Sequence, residues 1–227
     1  TAQTGSSSEV ANTAVGYQAG VAVTKGRYNT IVGKQALYTE DVGDRSTAIG
    51  YQSMYAQNSD SDNEITGNTG LGMYSGMHNV TGQNNTYLGY RAGAGASSNS
   101  NSSNTAVGKD ALYAITTGER NVAVGTNALT ALTAGGTANL GNVAIGYGAL
   151  DNLQTGMSNI AIGVAAMDAA TGAVSNCVCI GDRAGDAINN TDCNGTVAIG
   201  YNALTAVNSG EGNTAVGYAA GQTLTTG

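Results

Sequence analysis

The chain has 227 residues, 35 of them Gly, with no Phe, Trp or Pro, 10% charged residues and a formal net charge of −7. Its eight Lys and Arg are spread thinly, which argues against a nucleic-acid surface, and no apolar run approaches the roughly 20 residues of a membrane span, so no membrane insertion is expected. Periodic β-branched positions argue against disorder, and the absence of Phe and Trp argues against an ordinary globular core.

One signature, Asn-Thr-Ala-Val-Gly-x-x-Ala-Leu/Gly, recurs twelve times. Its anchors are Gly16, Gly33, Gly50, Gly72, Gly89, Gly108, Gly125, Gly146, Gly163, Gly181, Gly200 and Gly217, at intervals of 17 to 22 residues. Fixed-period self-similarity along the whole chain makes residues 1–227 a single repeat domain. The chain starts at Thr, and neither end shows a polar cap, so it reads as a fragment of a longer fibre.

With each anchor as position zero, a short strand is predicted immediately before it. Position −1 is always aliphatic: Val15, Val32, Ile49, Leu71, Leu88, Val107, Val124, Ile145, Ile162, Ile180, Ile199 and Val216. Position −3 is always β-branched, beginning with Thr13, Thr30, Thr47, Thr69, Thr86 and Thr105 and continuing as Val or Ile in the next five repeats. Residues two apart share one face of a strand, and this stripe is expected to pack inward. The threonine row suggests an ice-binding face only if it points outward. Position −4 is Asn in nine repeats, which predicts a ladder of stacked side-chain amides.

After the anchor, position +3 is always Ala or Ser, a sign of close approach. Position +4 is Leu or Met in seven repeats and Gly in five, read as a second short strand or tight corner. Each 17-residue interval carries Gly at −7 (Gly26, Gly43, Gly82, Gly118, Gly156 and Gly210), read as a turn needing positive φ. The expectation is an all-β fold: a parallel β-roll or β-solenoid of about twelve rungs, each 17–22 residues long. Its core is thin, so further burial between copies of the chain is expected.

Two longer intervals supply protrusions, and loops on a rigid scaffold commonly carry recognition. The first, Tyr55 to Gly67, includes Asp60, Asp62, Asn63 and Glu64. Alternating oxygen ligands suit Ca²⁺, but the spacing departs from an EF-hand, and the loop is read as solvated with no metal. The second, Thr133 to Gly141, includes Thr137 and Asn139. Receptor contacts are assigned to Tyr55, Asp60, Asp62, Asn63, Glu64, Thr133, Thr137 and Asn139. Tyr17, Tyr51, Tyr90, Tyr147, Tyr201 and Tyr218 follow anchors and offer stacking faces suited to sugars, or simply shield the roll's edge. Cys177, Cys179 and Cys193 read as small buried hydrophobes with a spare thiol. The single histidine, His78, reads as a loop residue, and no catalytic constellation or cofactor motif is found.

Asn142-Val-Ala-Ile-Gly146, Asn159-Ile-Ala-Ile-Gly163 and Thr196-Val-Ala-Ile-Gly200 resemble the head repeats of trimeric autotransporter adhesins. Asn12-Thr-Ala-Val-Gly-Tyr-Gln-Ala-Gly20 and Asn85-Thr-Tyr-Leu-Gly-Tyr-Arg-Ala-Gly93 resemble repeats of phage tail fibres. The resemblance implies a left-handed, homotrimeric β-roll in an extracellular virion tail fibre, a rigid rod that attaches to the host surface. Its partners would be copies of itself, other fibre or tail proteins, and a cell-surface glycan or protein receptor. The alternative is a bacterial adhesin head. A polysaccharide-degrading tailspike and an ice-binding solenoid stand further back.

Overall fold

The computed structural model describes residues 11–96, 99–133 and 141–226. Its strands are β1 (Thr13–Val15), β2 (Thr30–Val32), β3 (Thr47–Ile49), β4 (Thr69–Leu71), β5 (Thr86–Leu88) and β6 (Thr105–Val107). They continue as β7 (Val122–Val124), β8 (Val143–Ile145), β9 (Ile160–Ile162), β10 (Val178–Ile180), β11 (Val197–Ile199) and β12 (Thr214–Val216). These twelve strands form one parallel sheet in chain order, the sheet of a β-solenoid. Position −3 pairs with position −3 throughout, from Thr13 with Thr30 to Val197 with Thr214. The longest interval does not disturb this: Thr47 still pairs with Thr69. Inserted residues loop out and leave the ladder in register.

The return half of each rung is not a second strand. Positions +2, +4 and −5 turn corners through left-handed φ, as at Gln35 (56°), Leu37 (47°) and Arg45 (64°). Their backbone groups are satisfied by neighbouring rungs instead. The Gln35 N–H donates to the Tyr17 carbonyl, and the Leu37 N–H to the Ser53 carbonyl, both at 2.9 Å.

The strand faces are the reverse of those expected. Position −2 points into the coil, and Ala48, Ala106, Ala123, Ala144, Ala161 and Ala198 are wholly buried. The aliphatic residues at −1 point outward: Val15, Leu71, Leu88, Ile145 and Val216 are exposed, and the others are half-buried. Thr13, Thr69 and Thr86 are likewise exposed, with Thr30, Thr47 and Thr105 half-buried. The physical reason lies in the return half. Leu112, Leu129 and Leu150 at +4, with Ile115, Leu132 and Leu153 at +7, fill the interior and leave the strand room for little more than a methyl group. Alternation shows which residues share a face, not which face is inside.

Glycine is required at the anchors for two reasons. Gly125 has φ +136°, and a Cβ there would lie 2.3 Å from the Gly146 carbonyl oxygen. The glycines at −7 divide: Gly156 (145°) and Gly210 (101°) take the positive φ expected of them, and three others serve a different need. At Gly26, Gly43 and Gly82 φ lies outside the left-handed range, but a Cβ would meet the next rung at 2.5, 2.2 and 1.9 Å. Close stacking, rather than turn geometry, excludes a side chain there.

The asparagine ladder is present. From Asn85 through Asn104, Asn121 and Asn142 to Asn159, each side-chain amide donates to the preceding Asn Oδ1 at 3.1–3.3 Å. The ladder is broken at Ser46, where the interior turns polar. Fully buried Glu40 takes its place in that region: its carboxylate accepts from the Gly43 N–H (2.7 Å), the Gln57 amide (2.9 Å) and the Ser59 hydroxyl (3.0 Å). Gln57 in turn donates to Ser46 Oγ and accepts from Asn68, which rejoins the ladder. The buried polar groups around Ser46 are thus linked rather than stranded. Cys177, Cys179 and Cys193 are buried, unpaired thiols, and burial pushes each of them up from the ordinary thiol range.

Candidate functional site

The corners at +2 place a column of polar side chains on the outside of the coil. Gln18, Gln35 and Gln52 form an amide ladder at 3.0–3.1 Å. In the next rungs the same column holds Tyr74, Arg91 and Asp110. Arg91 grips Asp110 with two parallel bonds, Nε to Oδ1 at 2.6 Å and Nη2 to Oδ2 at 2.9 Å. That bidentate bond, first among its causes, raises Arg91 further above its ordinary value.

The Arg91 guanidinium lies between two rings, 4.9 Å from the Tyr90 centroid and 4.6 Å from that of Tyr113. Tyr74 stands between Tyr51 and Tyr90, with centroids at 5.3 and 6.3 Å and ring planes inclined by 66° and 60°. Tyr74, Tyr90, Arg91 and Tyr113, with Met77 and His78, line an open cleft of about 300 Å³. Burial pushes the His78 imidazole down from its ordinary value, so it is neutral at pH 7 and offers one donor and one acceptor. The cleft thus combines aromatic faces, a charge-neutralised Arg–Asp pair and an uncharged imidazole.

The residues first assigned to receptor contact lie elsewhere. Tyr55 is half-buried and stacks on Tyr38, centroids 4.9 Å apart and planes 2° from parallel. Asp60, Asp62 and Asn63 are exposed and Glu64 half-buried, but they do not converge. Asp62 pairs with Lys25 at 2.5 Å, the Asn63 side-chain Oδ1 accepts from Arg27, and Glu64 accepts from the Asp60 N–H at 3.0 Å and from Gln83. Each is held by its own neighbour. Among the described residues, no group of three or more His, Cys, Asp or Glu could hold a metal ion. Thr133 is exposed, and its carbonyl accepts from the Thr116 hydroxyl. Thr137 and Asn139 lie outside the described residues.

Of the six tyrosines following anchors, only Tyr51 and Tyr90, on either side of Tyr74, take part in this aromatic group; Tyr201 and Tyr218 form a separate stacked pair at 5.3 Å. Tyr74, Arg91 and Tyr113 were missed by sequence reasoning, and His78 was read there as a loop residue. Their positions at +2, +5 and +6 become informative only once the return half is known to stack in columns.

No protein-family model, curated protein or solved structure matches the chain.

Proposed function

We propose that the chain is a rigid segment of a homotrimeric fibre, of the phage tail-fibre kind, that serves attachment to a cell surface. The observation that supports this reading is the outward row at −1. It runs unpartnered along the sheet from Val15, 58% exposed, to Val216, 67% exposed. A continuous outward row of aliphatic side chains is unusual on a monomer, and the positions beside it are mixed, with Thr at −3 in seven rungs and Tyr, Lys, Thr, Asp, Met or Val at +1. With strands about 4.8 Å apart, the row is roughly 53 Å long, and with the flanking positions roughly 13 Å wide. That is about 700 Å² per copy, near the roughly 800 Å² per partner of a stable interface. A second and third copy are the occupants that fit best, because only an identical coil repeats its side chains at the same rise over the whole length.

Light scattering of the purified chain tests the reading. A mass of three 22.5 kDa chains is the expected result. A stable single chain overturns it.

One observation favours a second reading. Six successive threonines, Thr13 to Thr105, point outward along β1 to β6 at the strand spacing. In a monomeric chain this hydroxyl row would suit binding to ice, and thermal hysteresis of its solutions is the measurement. A trimer with no hysteresis removes this second reading.

A further inference from the structure

We propose that the cleft formed by Tyr74, Tyr90, Tyr113 and Arg91 is a carbohydrate subsite that takes one neutral pyranose of a surface glycan. It builds on the attachment reading and gives that contact a place and a chemistry. A pyranose has one face of weakly polarised C–H groups and a rim of hydroxyls. The C–H face packs well on the electron-rich face of a tyrosine ring. Tyr74 and Tyr90, inclined at 60°, offer two such faces at an angle rather than one flat wall.

The rim needs donors and acceptors close together. Arg91 has five N–H donors, of which the bond to Asp110 uses two, leaving three beside the cleft. Neutral His78 supplies a donor and an acceptor, and the tyrosine hydroxyls can serve as either. Asp110 pairs with Arg91 in a bidentate bond, and Lys109, 3.4 Å from the same carboxylate, stands outside the residues that line the cleft. An anionic sugar in the cleft therefore meets a paired guanidinium rather than a free one, and a chain of net charge −7 repels it. The choice falls on a neutral sugar. A volume of about 300 Å³ is at the small end of ligand sites, suited to a single ring.

The cleft opens on the return half of the rungs. Tyr74 and Arg91 are at +2 and Tyr113 at +5, off the outward row that copies would cover, while Tyr90, at +1, stands at the edge of that row. Each chain would carry one such cleft, so a trimer would present three, and weak single contacts would add through multivalency.

His78 is the only histidine, so its imidazole resonance is a unique reporter of the cleft. The experiment titrates the native assembly with methyl glycosides of glucose, galactose, mannose, fucose, N-acetylglucosamine and N-acetylgalactosamine, and with sialic acid as the anionic arm. The expected result is a saturable His78 shift with at least one neutral sugar and none with sialic acid. Tyr113→Ala should weaken that binding about tenfold, while Tyr218→Ala, remote from the cleft, should leave it unchanged. The inference is overturned if no neutral sugar in the panel moves His78, if only sialic acid does, or if Tyr113→Ala has no effect. Light scattering on the same samples keeps the two readings apart. A trimer without a shift sinks the subsite alone, and a monomer with a shift sinks the fibre alone.

Discussion

Tyr87 occupies the space that a side chain at Gly93 would need. A Cβ on Gly93 would lie 2.2 Å from Tyr87 Cε1, and one on Gly76, in the rung before, 2.7 Å from Cδ2. Tyr87 is fully buried at position −2, where most rungs carry Ala, and its hydroxyl donates to Asn101. The same exchange recurs where Ile31 abuts Gly20 (2.6 Å) and Cys179 abuts Gly185 (2.5 Å). Most rungs with Ala at −2 carry Leu or Met at +4 instead. The two positions share one core volume, and a large residue at one is offset by glycine at the other.

This exchange predicts a coupled pair of substitutions. Tyr87→Ala alone should cost about 3–5 kcal/mol through the cavity it leaves. Gly93→Leu alone should cost at least 1–3 kcal/mol, roughly the penalty of overpacking. Together they restore the common rung, so Tyr87→Ala with Gly93→Leu should be more stable than either single variant. Denaturation midpoints of the four proteins measure the coupling. Simple additivity of the two losses would refute the shared volume.

Much of this architecture is legible in the sequence. Spacing of the anchors gives the rungs and their parallel stacking, and the asparagines at −4 give the ladder that Asn85 to Asn159 form. What it does not give is the inside. Val124 and Ala123 are adjacent, and burying the larger residue is the ordinary guess, but Leu129 and Leu132 already fill the interior behind Ala123. Nor does it give the cleft. Arg91 and Asp110 are 19 residues apart and meet only because their rungs stack at +2.

A second prediction separates the two constraints on glycine. Gly125 combines φ +136° with a carbonyl oxygen 2.3 Å from its missing Cβ, whereas Gly148 has φ +64° and nothing within 4 Å. Gly148→Ala should cost only the left-handed penalty, about 1–2 kcal/mol. Gly125→Ala adds a backbone collision and should abolish cooperative folding of the surrounding rungs. Circular dichroism melts of both variants make the comparison. Equal effects would mean that φ alone matters.

The ladder suggests a stabilising substitution at its end. Cys177 sits in the asparagine column, its N–H donating to Asn159 Oδ1 at 3.1 Å and its thiol contacting the Cys193 carbonyl at 3.3 Å. Asn159 directs its amide to the matching carbonyl, that of Val174, at 2.7 Å. Cys177→Asn replaces a weak S–H donor with an amide aimed at the same oxygen, and it gives the Thr196 N–H an oxygen acceptor in place of sulfur. The expected gain is about 1 kcal/mol, read as a higher melting temperature under reducing conditions. A lower one would show that the amide does not fit the column.

The +5 column carries Asp151, Asp168 and Asp186 in successive rungs. Burial first, then the charges of Asp151 and Asp186, push the Asp168 carboxyl up from its ordinary value. A raised folded-state pKa means the charged form is disfavoured on folding. The associated stability is fully present below the unfolded value, about 3.9, and is lost as pH rises through the folded one. Asp168→Asn should therefore stabilise the chain at pH 7, by no more than about 0.5 kcal/mol in this water-screened position. Its advantage should vanish below roughly pH 4. Melting curves of both proteins at neutral and acidic pH check the sign.

The last prediction tests which face of the sheet is covered, and by what. Ile145 is 37% exposed at −1, whereas its neighbour Ala144 is wholly buried at −2. Lysine at Ile145 reaches water in an isolated chain, so a single coil tolerates Ile145→Lys, with an effect within about 0.5 kcal/mol. In an assembly closed by the outward row, the same ammonium is carried into an apolar interface without a partner and disfavours association strongly. Ile145→Lys should thus reduce the mass in solution to one chain while leaving the β-sheet circular dichroism intact. Ala144→Lys forces its charge into the coil, and it should unfold the surrounding rungs whatever the assembly state. Were the faces reversed, Ile145→Lys would unfold the chain and Ala144→Lys would be tolerated. A folded, still-trimeric Ile145→Lys would instead place the contact between copies somewhere other than this row.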